Sequence, residues 1–217
     1  MNATNSENAR ARSSVYGLLA VGFAYPEREF FNDVASGRLA DDLTAALTLC
    51  AVPSTAETVA GLRSSLPFED FEAAYLRAFE TNAPTPSVSL YQASYVPGLA
   101  KSDLLLELKA FYSNFDLMVA PGLHELEDKL TAELECMHFL AAKQAQTGDD
   151  ASLHPEPYVL AQNDFLKRHL ATWLPRFSEA VEAQEVAPFF LALARSAATF
   201  VVSDSKVMEQ AARQLAA

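Results

Sequence analysis

Glu135-Cys-Met-His138 sets a carboxylate and an imidazole three residues apart. On a helix, a Glu-x-x-His of this kind supplies half the ligand set of a di-iron or di-manganese carboxylate bundle, whose chemistry is oxidation at a metal pair. The other histidines are His124, His154 and His169, and none has a glutamate three residues before it. His124-Glu125 also lacks the second histidine of a zinc-protease helix. When Glu125 to Ala141 is placed on a helical wheel at about 100° per residue, Leu126, Leu130, Leu134, Met137, Leu140 and Ala141 share one face. Glu135 then points away from that face and His138 lies on its flank. No metal ligand set and no cofactor site is expected, and a di-metal carboxylate oxidase is kept only as the alternative that metal analysis of the purified protein would decide.

The same wheel puts Glu133 beside the apolar stripe, about 20° from Leu126. A carboxylate buried without partners is costly. Lys129, one turn earlier, could pair with it, although this order along a helix is the weaker one. Glu133 is therefore expected either to receive buried hydrogen bonds or to line a groove. No other catalytic set is present: there is no glycine-rich phosphate loop and no Gly-x-Ser-x-Gly elbow.

Residues of this kind need elements to hold them, and the chain reads as helical throughout. Half of its 217 residues are hydrophobic and only seven are glycine, so folding into one domain, residues 1–217, with a real core is expected. Helix one is predicted over about 9–24. Its apolar run Val15 to Ala24 follows Arg10 and Arg12 like a signal-peptide core, but Glu7 and the missing Ala-x-Ala site favour a buried helix ended by Tyr25-Pro26. Short helices are expected between Glu27 and Cys50, broken near Ser36-Gly37. A capping box at Ser54-Thr-Ala-Glu57 should open another. After Pro67, Phe68, Phe71, Tyr75 and Phe79 form an aromatic stripe best read as core. Residues 82–98 carry three prolines and a closing glycine and predict a long irregular loop. Tyr91 and Tyr95 in that loop either pin it to the core or offer ring area and a hydroxyl to a peptide. Further helices are expected over 102–115 and 156–173, the latter stopped by Pro175. Two more, parted near Pro188, should fill residues 176–215.

Net charge is −12 with a pI near 4.7. That argues against nucleic acid or an anionic membrane as partner and favours a basic protein or peptide. No stretch is a convincing membrane span. Cys50 and Cys136 make no Cys-x-x-Cys pair and suit a reducing cytoplasm.

Four segments, in order, resemble the TorD/DmsD/NarJ chaperones of molybdenum oxidoreductases. Tyr75-Leu-Arg-Ala-Phe79 resembles the family's Tyr-x-x-Leu-Phe helix, and Pro86-Ser-Val-Ser89-Leu-Tyr91 its Pro-x-x-Ser-x-Tyr loop. Glu107 to Leu117 is similar to its helix ending Phe-Tyr-x-x-Phe-Gly-Leu. Glu127-Asp128-Lys129-Leu-Thr-Ala-Glu133 is similar to its Pro-Asp-His-Leu-x-x-Glu, with lysine where histidine is common. Residues 161–175 are a weaker echo, and the pattern leans toward the NarJ-like branch.

The resemblance implies a TorD-type all-α bundle that is not an enzyme. Its partner would be the catalytic subunit of a molybdopterin oxidoreductase, held in the cytoplasm, often by its twin-arginine leader, until cofactor insertion is complete. In that reading Tyr75 and Phe79 support or form an apolar wall. Pro86, Ser89, Tyr91 and Tyr95 present the loop, Asp128 and Glu133 supply acidity toward client arginines, and Lys129 tunes it. Each is equally open to a purely structural role. A generic helical adaptor is the remaining alternative, separable by whether a large molybdopterin subunit is encoded alongside.

Overall fold

The computed structural model describes residues 2–81, 86–120, 125–150 and 152–216. They form ten α-helices: α1 (Asn2–Phe23), α2 (Arg28–Ser36), α3 (Arg38–Leu49), α4 (Ala56–Gly61), α5 (Phe68–Tyr75), α6 (Lys101–Ser113), α7 (Leu130–Asp149), α8 (Glu156–Arg168), α9 (Leu170–Glu182) and α10 (Pro188–Leu215). The all-α expectation holds, and among the described residues there is no strand. None of the described helices is long and apolar enough to cross a membrane.

The longest interface joins α1 to α7, with α8, α9 and α10 packed around them and α3 against the other side of α1. Close approach depends on two glycines of α1. A Cβ on Gly22 would lie 2.7 Å from Leu193 of α10, and one on Gly17 would lie 3.1 Å from the His138 ring. The core at the α5 end is aromatic: Phe71, Tyr75, Phe79, Phe189 and Phe190 meet mostly edge to face. Such pairs each add about 0.5–1.5 kcal/mol beyond the area they bury.

Several boundaries differ from the sequence reading. The cap of α4 is Thr55, whose hydroxyl accepts from Thr58 N–H at 3.1 Å, so the capping box at Ser54 does not form. Pro175 lies inside α9 instead of ending it. It stands near the start of that helix, where it removes only the bond to the Ala171 carbonyl. The break falls at His169, which leaves helical geometry at φ −124°, ψ −102° and turns its ring inward. The aromatic helix continues past Tyr75 as a π-turn, Leu76–Glu80. Pro121-Gly122, which the sequence reads as the separator between the helix over 102–115 and the Glu125–Ala141 stretch, lies outside the described residues.

α6 ends as the family pattern suggests. Leu117 N–H donates to the Tyr112 carbonyl at 3.1 Å and Asp116 N–H to that of Ser113 at 3.2 Å. That pair of bonds is a Schellman ending, which calls for a left-handed residue. Asp116, at the family's glycine position, takes it with φ 57°.

Candidate functional site

α7 starts at Leu130, so Asp128 and Lys129 precede the helix and do not lie on it. The loop explains this start. Its residues 90–92 run antiparallel to 128–130 around a single bridge, Tyr91 to Lys129. Leu130 N–H donates to the Leu90 carbonyl at 2.8 Å, and Gln92 N–H donates to the Asp128 carbonyl at 2.9 Å. A first-turn N–H with no partner in its own helix is thereby satisfied by the loop, where a capping side chain would otherwise serve.

Asp128 binds the loop a second time. Its Oδ2 accepts from Ala93 N–H at 3.1 Å and so caps the short 3-10 turn Gln92–Ser94. Tyr95 follows. Its hydroxyl donates to the Ser89 carbonyl at 2.8 Å, and its ring lies on that of Trp173 in α9, with centroids 5.4 Å apart and planes 20° from parallel. Arg176 holds the Tyr95 carbonyl at 2.8 Å. Beneath, Trp173 Nε1 donates to Glu133 Oε2 at 3.1 Å. Gln92 is buried, and its side-chain oxygen accepts from His169 Nδ1 at 3.2 Å.

The pairing of Lys129 with Glu133 considered from the sequence does not form. Lys129 Nζ instead meets Glu125 at 2.5 Å, across the turn closed by Lys129 N–H on the Leu126 carbonyl at 3.1 Å. Glu133 is fully buried and faces Trp173, which realises the hydrogen-bonded alternative. Burial holds its carboxyl well above the usual carboxylate range; the Trp173 bond opposes the shift and nearby Asp128 adds to it. Burial likewise raises Asp128, against the Ala93 N–H.

Tyr75 and Phe79 lie in the aromatic core, 0% and 3% exposed. Tyr75 donates to the Phe23 carbonyl at 3.2 Å. Phe177 connects this layer to the loop, stacking on Phe79 at 6.4 Å and meeting Tyr95 edge-on at 6.0 Å. Pro86, Ser89, Tyr91 and Tyr95 are half-buried, and the Tyr95 ring faces inward onto Trp173 and Phe177. Lys101 lies 5.9 Å from the Tyr91 ring centre, within cation–π range. The nine residues singled out from sequence thus occupy one contiguous layer, the loop's outside and the ground beneath it.

Sequence reasoning passed over Gln92, His169, Trp173, Arg176 and Phe177, which complete this layer. Trp173 carried a signal as the chain's one tryptophan. The others meet the loop only through the tertiary fold.

Glu135 and His138 make no site. Glu135 is exposed, and His138 Nδ1 is held by the Ser13 carbonyl at 2.8 Å, joining α7 to α1. Among the described residues no group of three or more His, Cys, Asp or Glu could hold a metal ion; His124 lies outside them. Both cysteines are free.

Residues 40–179 match the family described as nitrate reductase delta subunit. The chain belongs to that family. Its similarity to the perchlorate reductase assembly chaperone of Dechloromonas aromatica is 45% identity over 213 residues, 93% of this chain and 94% of that one. It is 32% identical to the selenate reductase assembly chaperone of Thauera selenatis over 184 residues, 83% and 82% of the two chains. It is 28% identical to the chaperone TorD of Vibrio cholerae over 141 residues, 65% and 61% of the two chains. A crystal structure from Archaeoglobus fulgidus, described as a candidate redox enzyme maturation protein, shares the fold with TM-score 0.50 and 17% identity, over 89% of this chain and 93% of that one. These delta-subunit relatives carry the names of reductase assembly chaperones and not of catalytic subunits, and this member is a chaperone of molybdoenzyme maturation, not an enzyme.

Proposed function

We propose that this delta-subunit family member works in the cytoplasm on one client, the molybdopterin-bearing catalytic subunit of a reductase, and that it holds the client's N-terminal leader on the face built by loop 86–98. The 45% identity to an assembly chaperone along nearly the whole chain carries the client class. The face is supported by the way the loop gathers residues of four segments into one layer. Pro86, Ser89, Tyr91 and Tyr95 make the outer contact. Tyr75 and Phe79 hold the floor through Phe177. Asp128, Lys129 and Glu133 bring acidity and a tuning cation to the loop's inner edge. An acidic chain suits a basic leader with an apolar run.

The test is a pull-down of the leader and of the leaderless subunit by the full chain. Asp128→Ala combined with Glu133→Gln should weaken leader binding and flatten its dependence on salt. Unchanged affinity and salt response in a folded double variant would remove the acidic face from this reading.

A further inference from the structure

Three buried acceptors lie beneath the loop without a hydrogen-bond partner: Asp128 Oδ1, Glu133 Oε1 and His169 Nε2. The His169 Nδ1–H serves Gln92, which leaves Nε2 with a lone pair. That lone pair faces Glu107 Oε1 at 3.4 Å, acceptor to acceptor. A protein interior leaves few such groups, because an unmade buried bond keeps its whole desolvation cost. The part of the loop that covers them is held by one bridge at Tyr91, one N–H on Asp128, the Gln92–His169 bond, the Tyr95 ring on Trp173 and Phe177, and one exposed arginine on the Tyr95 carbonyl, while Val88 and Leu90 anchor its start in the core.

We propose that loop 86–98 is a latch. It lifts from α7 and α9 when a guanidinium-bearing segment of the client arrives, and Asp128 and Glu133 beneath it accept that group. Once the carboxyls are ionised all three orphan atoms are acceptors, so the fitting occupant is a donor. Two of them belong to carboxyl groups, so a cation lets both ionise and pair. A guanidinium offers five N–H groups in a planar fork and matches carboxylates in pairs, which an ammonium does not. Closed, the carboxyls are sealed from water, which disfavours their charge; open, they are charged and paired. Apparent affinity is then reduced by the fraction of chains that are closed. This rests on the client reading above and adds to it the reason why residues of the likeness lie covered at rest.

Amide exchange in the full chain tests it, with a synthetic peptide carrying two adjacent arginines before an apolar run, and its twin with glutamines in their place. A peptide settling on the closed loop would slow exchange at Gln92 and Ala93. A lifting latch speeds it by about tenfold. Arg176→Gln, a surface change, should loosen the latch in the free chain and tighten the arginine peptide, while Glu133→Gln should bring its affinity toward that of the twin. Binding with unchanged or slowed exchange at Gln92 and Ala93 overturns the latch and leaves the client reading standing. Absence of binding to both the unaltered chain and Arg176→Gln overturns the leader reading and the latch with it.

Discussion

Arg12 and Asp204, 192 residues apart in the chain, form an ion pair sealed inside the protein. Arg12 Nη2 lies 2.9 Å from Asp204 Oδ2, and Tyr16 donates to the same oxygen at 2.5 Å. Gln144 and Gln162 accept from Arg12 Nη1 and Nη2 at 3.1 and 2.6 Å. Removing one member leaves an uncompensated buried charge. Arg12→Met and Asp204→Leu are each expected to cost about 3–5 kcal/mol. The double change should cost clearly less than the sum of the two, read from urea unfolding as a double-mutant cycle.

This pair also marks the limit of what the sequence discloses. Helix periodicity located the helices around the site, and the wheel found Glu133 pointing inward, because both are local properties of the chain. Arg12 reads as one more charge ahead of an apolar run, since its partner lies almost the whole chain away. The start of α7 was hidden for a similar reason: the Leu90 carbonyl caps it, and no residue near Leu130 announces that. Helical periodicity alone therefore puts Asp128 and Lys129 on a helix they only precede. His169 breaks α8 from α9 without glycine or proline, drawn inward by Gln92.

Asp116 occupies the left-handed end of α6 at φ 57°. An L-residue pays for that conformation, aspartate less than most, and glycine does not. Asp116→Gly should raise stability by about 0.5–1 kcal/mol, measured as the shift in denaturant midpoint with an unchanged slope.

Glu133 should make stability fall as pH rises. Its folded carboxyl titrates well above the ordinary 4.5 because it is buried. Above that ordinary value the unfolded chain has lost the proton and the folded chain still holds it, so raising pH favours unfolding. The groups facing it are Asp128 before α7, Tyr112 of α6, Cys136 on its own helix and Trp173 of α9. Glu133→Gln keeps an oxygen for Trp173 and removes the titration. Its stability relative to the unaltered chain should therefore grow as pH rises above 4.5, in urea midpoints taken across a pH series.

His169 acts in the other direction. Burial lowers its imidazole from 6.5 to about 4. Between those values the unfolded chain binds the proton and the folded chain refuses it, so stability is lost as pH falls from 6.5 toward 4. The loss approaches roughly 3 kcal/mol, at 1.36 kcal/mol per unit. His169→Asn keeps a donor near Gln92 and should remove that acid-side loss, checked by thermal unfolding from pH 7 down to pH 4.

The tie between α1 and α10 has a consequence for how the protein is made. Synthesis proceeds at about 5–20 residues per second, so the first helix waits roughly 10–40 s for the residue that neutralises Arg12. During that wait Tyr16, fully covered in the finished fold, has no Phe200 of α10 to lie against. Contacts so distant in the chain also slow folding compared with local helix pairing. A chaperone of this family thus passes through an unfinished stage of its own, with an apolar helix exposed at the ribosome.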